Sequence, residues 1–169
     1  MCLPYWRHMA YDHDTDRKLR RDQHWLRILA GAAIVWFGFN AFVFALSFTT
    51  SPEQLAARHS EAQISFLAAL PLWSIALSGM AIAFGLLGSI AMYFRRDEAY
   101  GVYMLALLVA MGHLIDVTSR GGFEVMAPGD AVAPMSVVFF NLFLFWASYD
   151  ARREGHLREP GPGSLPATV

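Results

Sequence analysis

Charged residues and cysteine are both scarce in this chain of 169 residues. Only 16% of the residues are charged, and the single cysteine, Cys2, excludes an internal disulfide and a metal site built from several cysteines. The hydrophobic fraction of 56% exceeds the roughly 45–50% of soluble proteins. Because the charges form short clusters between four long apolar stretches, the sequence indicates an integral membrane protein.

Each of the four stretches is long enough to cross a bilayer as a helix. Residues 28–48 are uncharged and would form a helix about 31 Å long, which matches a hydrocarbon core of about 30 Å. We predict the other spans at about 70–94, 99–119 and 131–149, the second and fourth with a proline in the first turn, Pro71 and Pro134. The expected fold is an all-α membrane protein, a bundle of four transmembrane helices.

Basic residues are distributed unequally between the two sides of this expected bundle. Of the 13 Lys and Arg residues, only Arg58 and Arg120 fall on the side opposite the chain ends. Cytoplasmic segments of membrane proteins carry an excess of Lys and Arg. We therefore predict that both chain ends lie in the cytoplasm and that the protein is a multi-pass protein of a bacterial inner membrane.

Polar segments flank the predicted transmembrane domain, residues 25–150. Residues 1–24 form a basic tail, in which Met9 is an alternative start. We interpret the His and Asp residues at 8–16 as a solvated part of this tail and not as a metal site. Residues 151–169 form a cytoplasmic tail, and we expect its end, rich in Pro and Gly, to be disordered.

The loop after the first span begins with a helix-start pattern. Ser51 is a capping residue, Pro52 suits the first helical position, and Gln54 stands three residues after the cap. Leu55, His59, Ala62 and Phe66 then recur every three or four positions. We predict a short surface helix at residues 52–66 that acts as a connector between spans.

Small residues occupy one face of the second predicted span. At 100° per residue these small residues fall within about 100° of one another. They are Ser74, Ser78, Ala81, Gly85, Gly88 and Ser89. Small residues allow close approach of helix backbones in lipid, so we expect this face to pack against neighbouring helices.

The other spans contain a few polar residues. On the third span His113 and Asp116 share a face that its large apolar residues avoid, and Arg120 is the expected partner of Asp116. We weigh two interpretations, a structural cluster near the helix end and a proton or ligand site. Asn40 and Asn141 lie at similar depth in the first and fourth spans, which favours a hydrogen bond between their amides over the alternative, contact with a substrate.

Several short motifs together resemble a known family. The motifs are Thr50-Ser51-Pro52-Glu53-Gln54-Leu55, Leu70-Pro71-Leu72-Trp73, Phe94-Arg95-Arg96, Ala99-Tyr100, Ala127-Pro128-Gly129 and Pro134. In their order and spacing they resemble small four-span bacterial inner-membrane proteins often labelled "sugar transporter". The resemblance implies a four-span architecture and carbohydrate transport. Members of that family tend to have an amide and a larger polar or aromatic residue where this chain has His113 and Asp116.

No pattern of a known enzyme class is present. The sequence contains no nucleophile with a nearby base, no glycine-rich phosphate loop and no metal-binding helix motif in a context where it would act. His24 and His113 are expected near opposite ends of the bundle, which makes them a geometrically poor pair of haem ligands. We expect no enzyme activity, cofactor, metal or nucleic-acid partner.

The predicted partners are the lipid bilayer and either further copies of the chain or a larger membrane complex. The expected function is small-solute transport, sugar-like by the resemblance, and the alternative is an accessory subunit.

Overall fold

The protein folds into helices alone over the residues that the structure, a computed structural model, describes: residues 5–57 and 59–157. The side chains of residues 5–23 lie outside this description. The described helices are α1 (Tyr5–Ser47), α2 (Pro52–Ala56), α3 (Glu61–Ala68), α4 (Leu72–Tyr93), α5 (Glu98–Ser119), α6 (Gly122–Val125) and α7 (Pro128–Arg153).

Three of these helices are long and apolar enough to cross a membrane. They are the second part of α1, His24–Ser47, together with α4 and α5. The predicted membrane-protein class is thereby confirmed, and the bounds of three predicted spans agree with helices to within a few residues. The fourth predicted span lies within α7, which is 26 residues long. The backbone of α1 is already helical from Tyr5, where the sequence predicts only a polar tail.

Packing of the four long helices depends on α4 and α5. α4 packs against both α1 and α5, and α5 in turn packs against α7. All four contribute to one buried cluster near the turn between α4 and α5, at what we call the Arg95 end of the bundle. Fully buried members of this cluster are Leu26, Phe37, Met92, Tyr103 and Leu144. The opposite end, with α2, α3 and α6, is called the α3 end.

Two glycines of α4 receive aromatic rings from its neighbours. A Cβ atom at Gly85 would collide with the ring of Phe37 from α1, and one at Gly88 would lie 3.0 Å from the ring of Tyr103 on α5. The Tyr103 hydroxyl donates a hydrogen bond to Ser89 Oγ at 2.9 Å. Ser89 Oγ donates to the carbonyl of Gly85 at 2.7 Å. Within the predicted small-residue face, Ser78 is half-buried and the other five residues are buried.

The Arg95 end is closed by the residues that follow α7. Arg95 has a φ of 60°, a left-handed conformation that is uncommon for a residue other than glycine. Its Nε donates a hydrogen bond to the carbonyl of His156 at 2.8 Å. His156 and Leu157 are buried, with 7% and 0% of their surface exposed. The start of the predicted C-terminal tail therefore belongs to the packed bundle.

The surface helix after the first span is shorter than predicted. Ser51 and Gln54 do form the expected reciprocal pair, in which each backbone N–H lies 3.4 Å from the other residue's side-chain oxygen. The helix nevertheless ends at Ala56 and a second one begins at Glu61. Ser60 Oγ accepts a hydrogen bond from the N–H of Gln63 at 3.2 Å, so a second cap with the same spacing starts α3.

The position predicted for Pro134 is wrong. α7 begins at Pro128, so Pro134 lies inside the helix and not in its first turn. Pro128 takes the position at the helix start where a missing N–H is harmless. Pro71 immediately precedes α4 as its N-terminal cap, one residue earlier than expected.

Replacing Gly85 with Leu should destabilise the bundle. The side chain would displace the Phe37 ring, and forcing extra atoms into a packed site costs typically about 1–3 kcal/mol. Gly101→Leu is the matched control, because a Cβ atom there would meet nothing within 4 Å. Thermal unfolding in detergent should show a lower midpoint for Gly85→Leu and little change for Gly101→Leu. Equal midpoints for the two variants would contradict the close packing of α1 against α4.

Candidate functional site

A cavity of about 540 Å³ lies in the half of the bundle nearest the α3 end. α1, α4, α5 and α7 form its walls, and Leu67 and Leu70 from the end of α3 and the loop after it line its outer part. Most of the lining residues are apolar. The polar ones are Asn40, Ser47, Ser78 and His113. Mostly apolar cavities of about 300–1,000 Å³ with a few convergent polar groups are typical ligand sites.

Three of the four polar lining residues keep hydrogen-bonding capacity toward the cavity. Nδ1 of His113 lies 3.4 Å from Ser74 Oγ, and its Nε2 has no partner among the described residues. Asn40 donates through Nδ2 to the carbonyl of Trp36 at 2.8 Å, which leaves its amide oxygen free among the described side chains. The Ser78 hydroxyl likewise has no described partner, whereas Ser47 donates to the Phe44 carbonyl.

The local folding of each helix explains why these groups converge. Asn40 follows the buried Phe37 by three residues on α1, and Ser78 precedes the buried Ala81 by three residues on α4. His113 follows the buried Ala110 by three residues on α5. Residues three apart share one helix face. Each polar residue therefore extends a packed face toward the α3 end.

An ion pair stands one helical turn from His113. Nε of Arg120 donates to Oδ1 of Asp116 at 2.8 Å, which is the pairing expected from the sequence. Asp116 is 8% exposed and Arg120 is 42% exposed. The Arg120 guanidinium carbon also lies 5.8 Å from the ring centre of Trp73 on α4. Neither charged residue belongs to the cavity lining. The ion pair and the Arg120–Trp73 contact lie beside the cavity, where the end of α5 meets α4.

Asn141 takes a different role from the predicted one. Its Nδ2 donates to the Val137 carbonyl at 2.9 Å, four residues back on its own helix. Asn40 bonds its own helix in the same way, so the predicted hydrogen bond between the two amides is replaced by two local ones. The amide can reach a carbonyl one turn back on its own helix. A hydrogen bond to the facing helix also requires that helix to be rotated so that its amide points toward the first one. Asn141 is fully buried and lies outside the cavity lining.

The sequence interpretation missed Tyr103, which is among the largest fully buried side chains. The available signal was its position three residues before Ala106 and seven before Ala110, on the face assigned to the bundle interior. Among the described residues no group of three His, Cys, Asp or Glu side chains could hold a metal ion. The side chains of the cluster at residues 8–16 lie outside that description.

Removing the charge of Arg120 alone should lower the free energy of unfolding by more than removing both charges of the ion pair. Arg120→Gln leaves the buried Asp116 carboxylate unpaired, and we expect a loss of about 1–2 kcal/mol, between the values typical of exposed and buried pairs. Asp116→Asn combined with Arg120→Gln should recover part of that loss. Thermal unfolding of the two single variants and the double variant in detergent gives the comparison. A double variant less stable than Arg120→Gln alone would contradict this account.

Comparison with known protein families, with curated proteins and with solved structures finds no match to this chain. The resemblance to the four-span family therefore stays a prediction, and the cavity geometry is what bears on function.

Proposed function

We propose that this chain is a non-enzymatic, four-span membrane protein that binds a small solute in the α3-end cavity and takes part in its transport. The observation that carries the proposal is the convergence of Asn40, Ser78 and His113, from three different helices, on one cavity. Their free hydrogen-bonding atoms and the apolar walls provide both parts of a typical solute site.

Two features support a fourth crossing by α7. Its 26 residues give a helix about 39 Å long, more than the thickness of a hydrocarbon core of about 30 Å. It packs against α5, which is itself apolar enough to cross a membrane. Two basic residues, Arg152 and Arg153, occupy its last turn, at the Arg95 end. The excess of basic residues at this end supports a cytoplasmic location for it, in a bacterial inner membrane.

The difference between the two ends of the bundle suits one state of a transport cycle. At the Arg95 end the rings of Phe37 and Tyr103 fill the space between helices, and Met92 and Leu144 are fully buried beside them. Toward the α3 end the same helices enclose the cavity. A transporter exposes its site to one side at a time, and the second state requires opening at the Arg95 end.

The orientation can be tested with a reporter that is active only in the cytoplasm. Fused after Arg96 or Arg158, the reporter should be active, and fused after Arg58 or Gly129 it should be inactive. Activity after Arg58 would overturn the orientation. Equal signals after Gly129 and Arg158 would show that α7 does not cross the membrane.

Access to the cavity can be tested by cysteine labelling in a Cys2→Ser background. A membrane-impermeant maleimide should label Ser78→Cys, at the half-buried cavity wall, from both sides of the membrane, because transport requires both states. Ser89→Cys is the control, since this position is fully buried against Tyr103 and should stay unlabelled in the folded protein. Labelling of Ser78→Cys from one side only would favour the alternative, an accessory subunit with a binding cavity. No labelling from either side would contradict the proposed transport of a solute from one side of the membrane to the other through this cavity.

A further inference from the structure

We infer that the solute is an uncharged amphiphile, with one hydrogen-bonding head group held between His113, Asn40 and Ser78 and an apolar body against the rest of the cavity. This inference rests on the proposed function, because it names the class of molecule that the same cavity would take. Three properties of the cavity lead to it, namely the charge of its walls, their polar capacity and the position of its opening.

The walls offer no counterion. Of the described residues that line the cavity none is Asp, Glu, Lys or Arg. The nearest carboxylate, Asp116, already binds Arg120, so that pair has no net charge to offer. Burying an ionised group without a partner is strongly unfavourable. A neutral head group avoids this cost.

The polar capacity of the walls is small and local. The free hydrogen-bonding atoms are on His113, Asn40 and Ser78, while Ser47 already donates to its own helix. A sugar carries a hydroxyl group on most of its carbon atoms, and apolar walls would leave several of them without partners. One alcohol or amide group matches the available partners, and a hydrocarbon body matches the remaining surface.

The sparse packing of α7 against α1 would let the cavity open toward the lipid between these two helices. These helices meet through the ring of Phe140, which lies 5.4 Å from Trp36 and 5.9 Å from Phe37 between ring centres. They are not a major packing pair elsewhere in the described chain. Val43 of α1 and Phe48, which follows the end of α1, line the cavity and are nevertheless 48% and 64% exposed. A molecule dissolved in the bilayer could therefore enter sideways, which suits an amphiphile.

The experiment uses protection of a cavity cysteine in the full chain reconstituted in lipid nanodiscs. Val137→Cys in a Cys2→Ser background places the thiol on the α7 wall of the cavity. The probes are dodecanol, dodecanoate, dodecane and glucose. Dodecanol should slow maleimide labelling at lower concentration than the other three. His113→Leu should weaken its protection by about fivefold, the loss expected for one hydrogen bond. Leu108→Ala, on the lipid-facing side of the same helix, is the control and should change nothing.

Each other outcome contradicts the inference in a recognisable way. Equal protection by dodecane would show that the head group plays no part, and stronger protection by dodecanoate would show that the site takes a charge. Protection by glucose would contradict the inference that the solute is an amphiphile but would not contradict the proposed function. If no probe slows the labelling, the inference that the solute is an amphiphile is also wrong. The proposed function is then still tested by the two-sided labelling of Ser78→Cys. A folded Val137→Cys protein that is never labelled would overturn both.

Discussion

The close contact of aromatic rings with the glycines of α4 is the interaction on which the rest of the bundle depends. In lipid the hydrophobic effect does not drive helices together, so close packing and interhelical hydrogen bonds must do so. Gly85 admits Phe37 from α1, and Gly88 admits Tyr103 from α5. At the same position Tyr103 donates a hydrogen bond to Ser89, and Ser89 donates one to the Gly85 carbonyl, which links α5 to α4. The short segment of α4 from Gly85 to Ser89 thus holds both α1 and α5 in place.

The cavity lies beyond these two contacts, toward the α3 end. The polar residue of α4 that lines it there is Ser78, which is half-buried. Phe44 packs on Gly79, where a Cβ atom would lie 3.0 Å from its ring, and forms part of the cavity wall. Phe37 and Tyr103 fill the spaces at Gly85 and Gly88 in one half of the bundle, and mostly apolar residues surround the open cavity in the other half.

Charge gaps and helical periodicity were sufficient to predict three helices that are long and apolar enough to cross a membrane, the small-residue face of α4 and the inward position of His113. They could not predict which ring meets which glycine, because periodicity identifies the face of a helix and not its neighbour. The contact of Tyr103 with Gly88 could therefore not be predicted, although periodicity places Tyr103 on the inward face of α5. The local bonds of Asn40 and Asn141 were missed because a shared depth says nothing about rotation toward each other. The interruption before α3 could have been predicted, since Ser60 and Gln63 repeat the spacing of Ser51 and Gln54.

The ion pair beside the cavity bears on what the cavity can bind. An unpaired Asp116 near His113 would place a negative charge within one helical turn of the site and would favour a cationic solute. Arg120 balances that charge through Oδ1 of Asp116, and Ser74, buried on α4, stands close to the imidazole as a neutral hydrogen-bonding neighbour. His113 thus has an uncharged contact on one ring nitrogen and is left with the other for a ligand. Because the ion pair lies outside the cavity lining and its two charges balance, it adds no net charge to the cavity, which is the condition that a neutral head group requires.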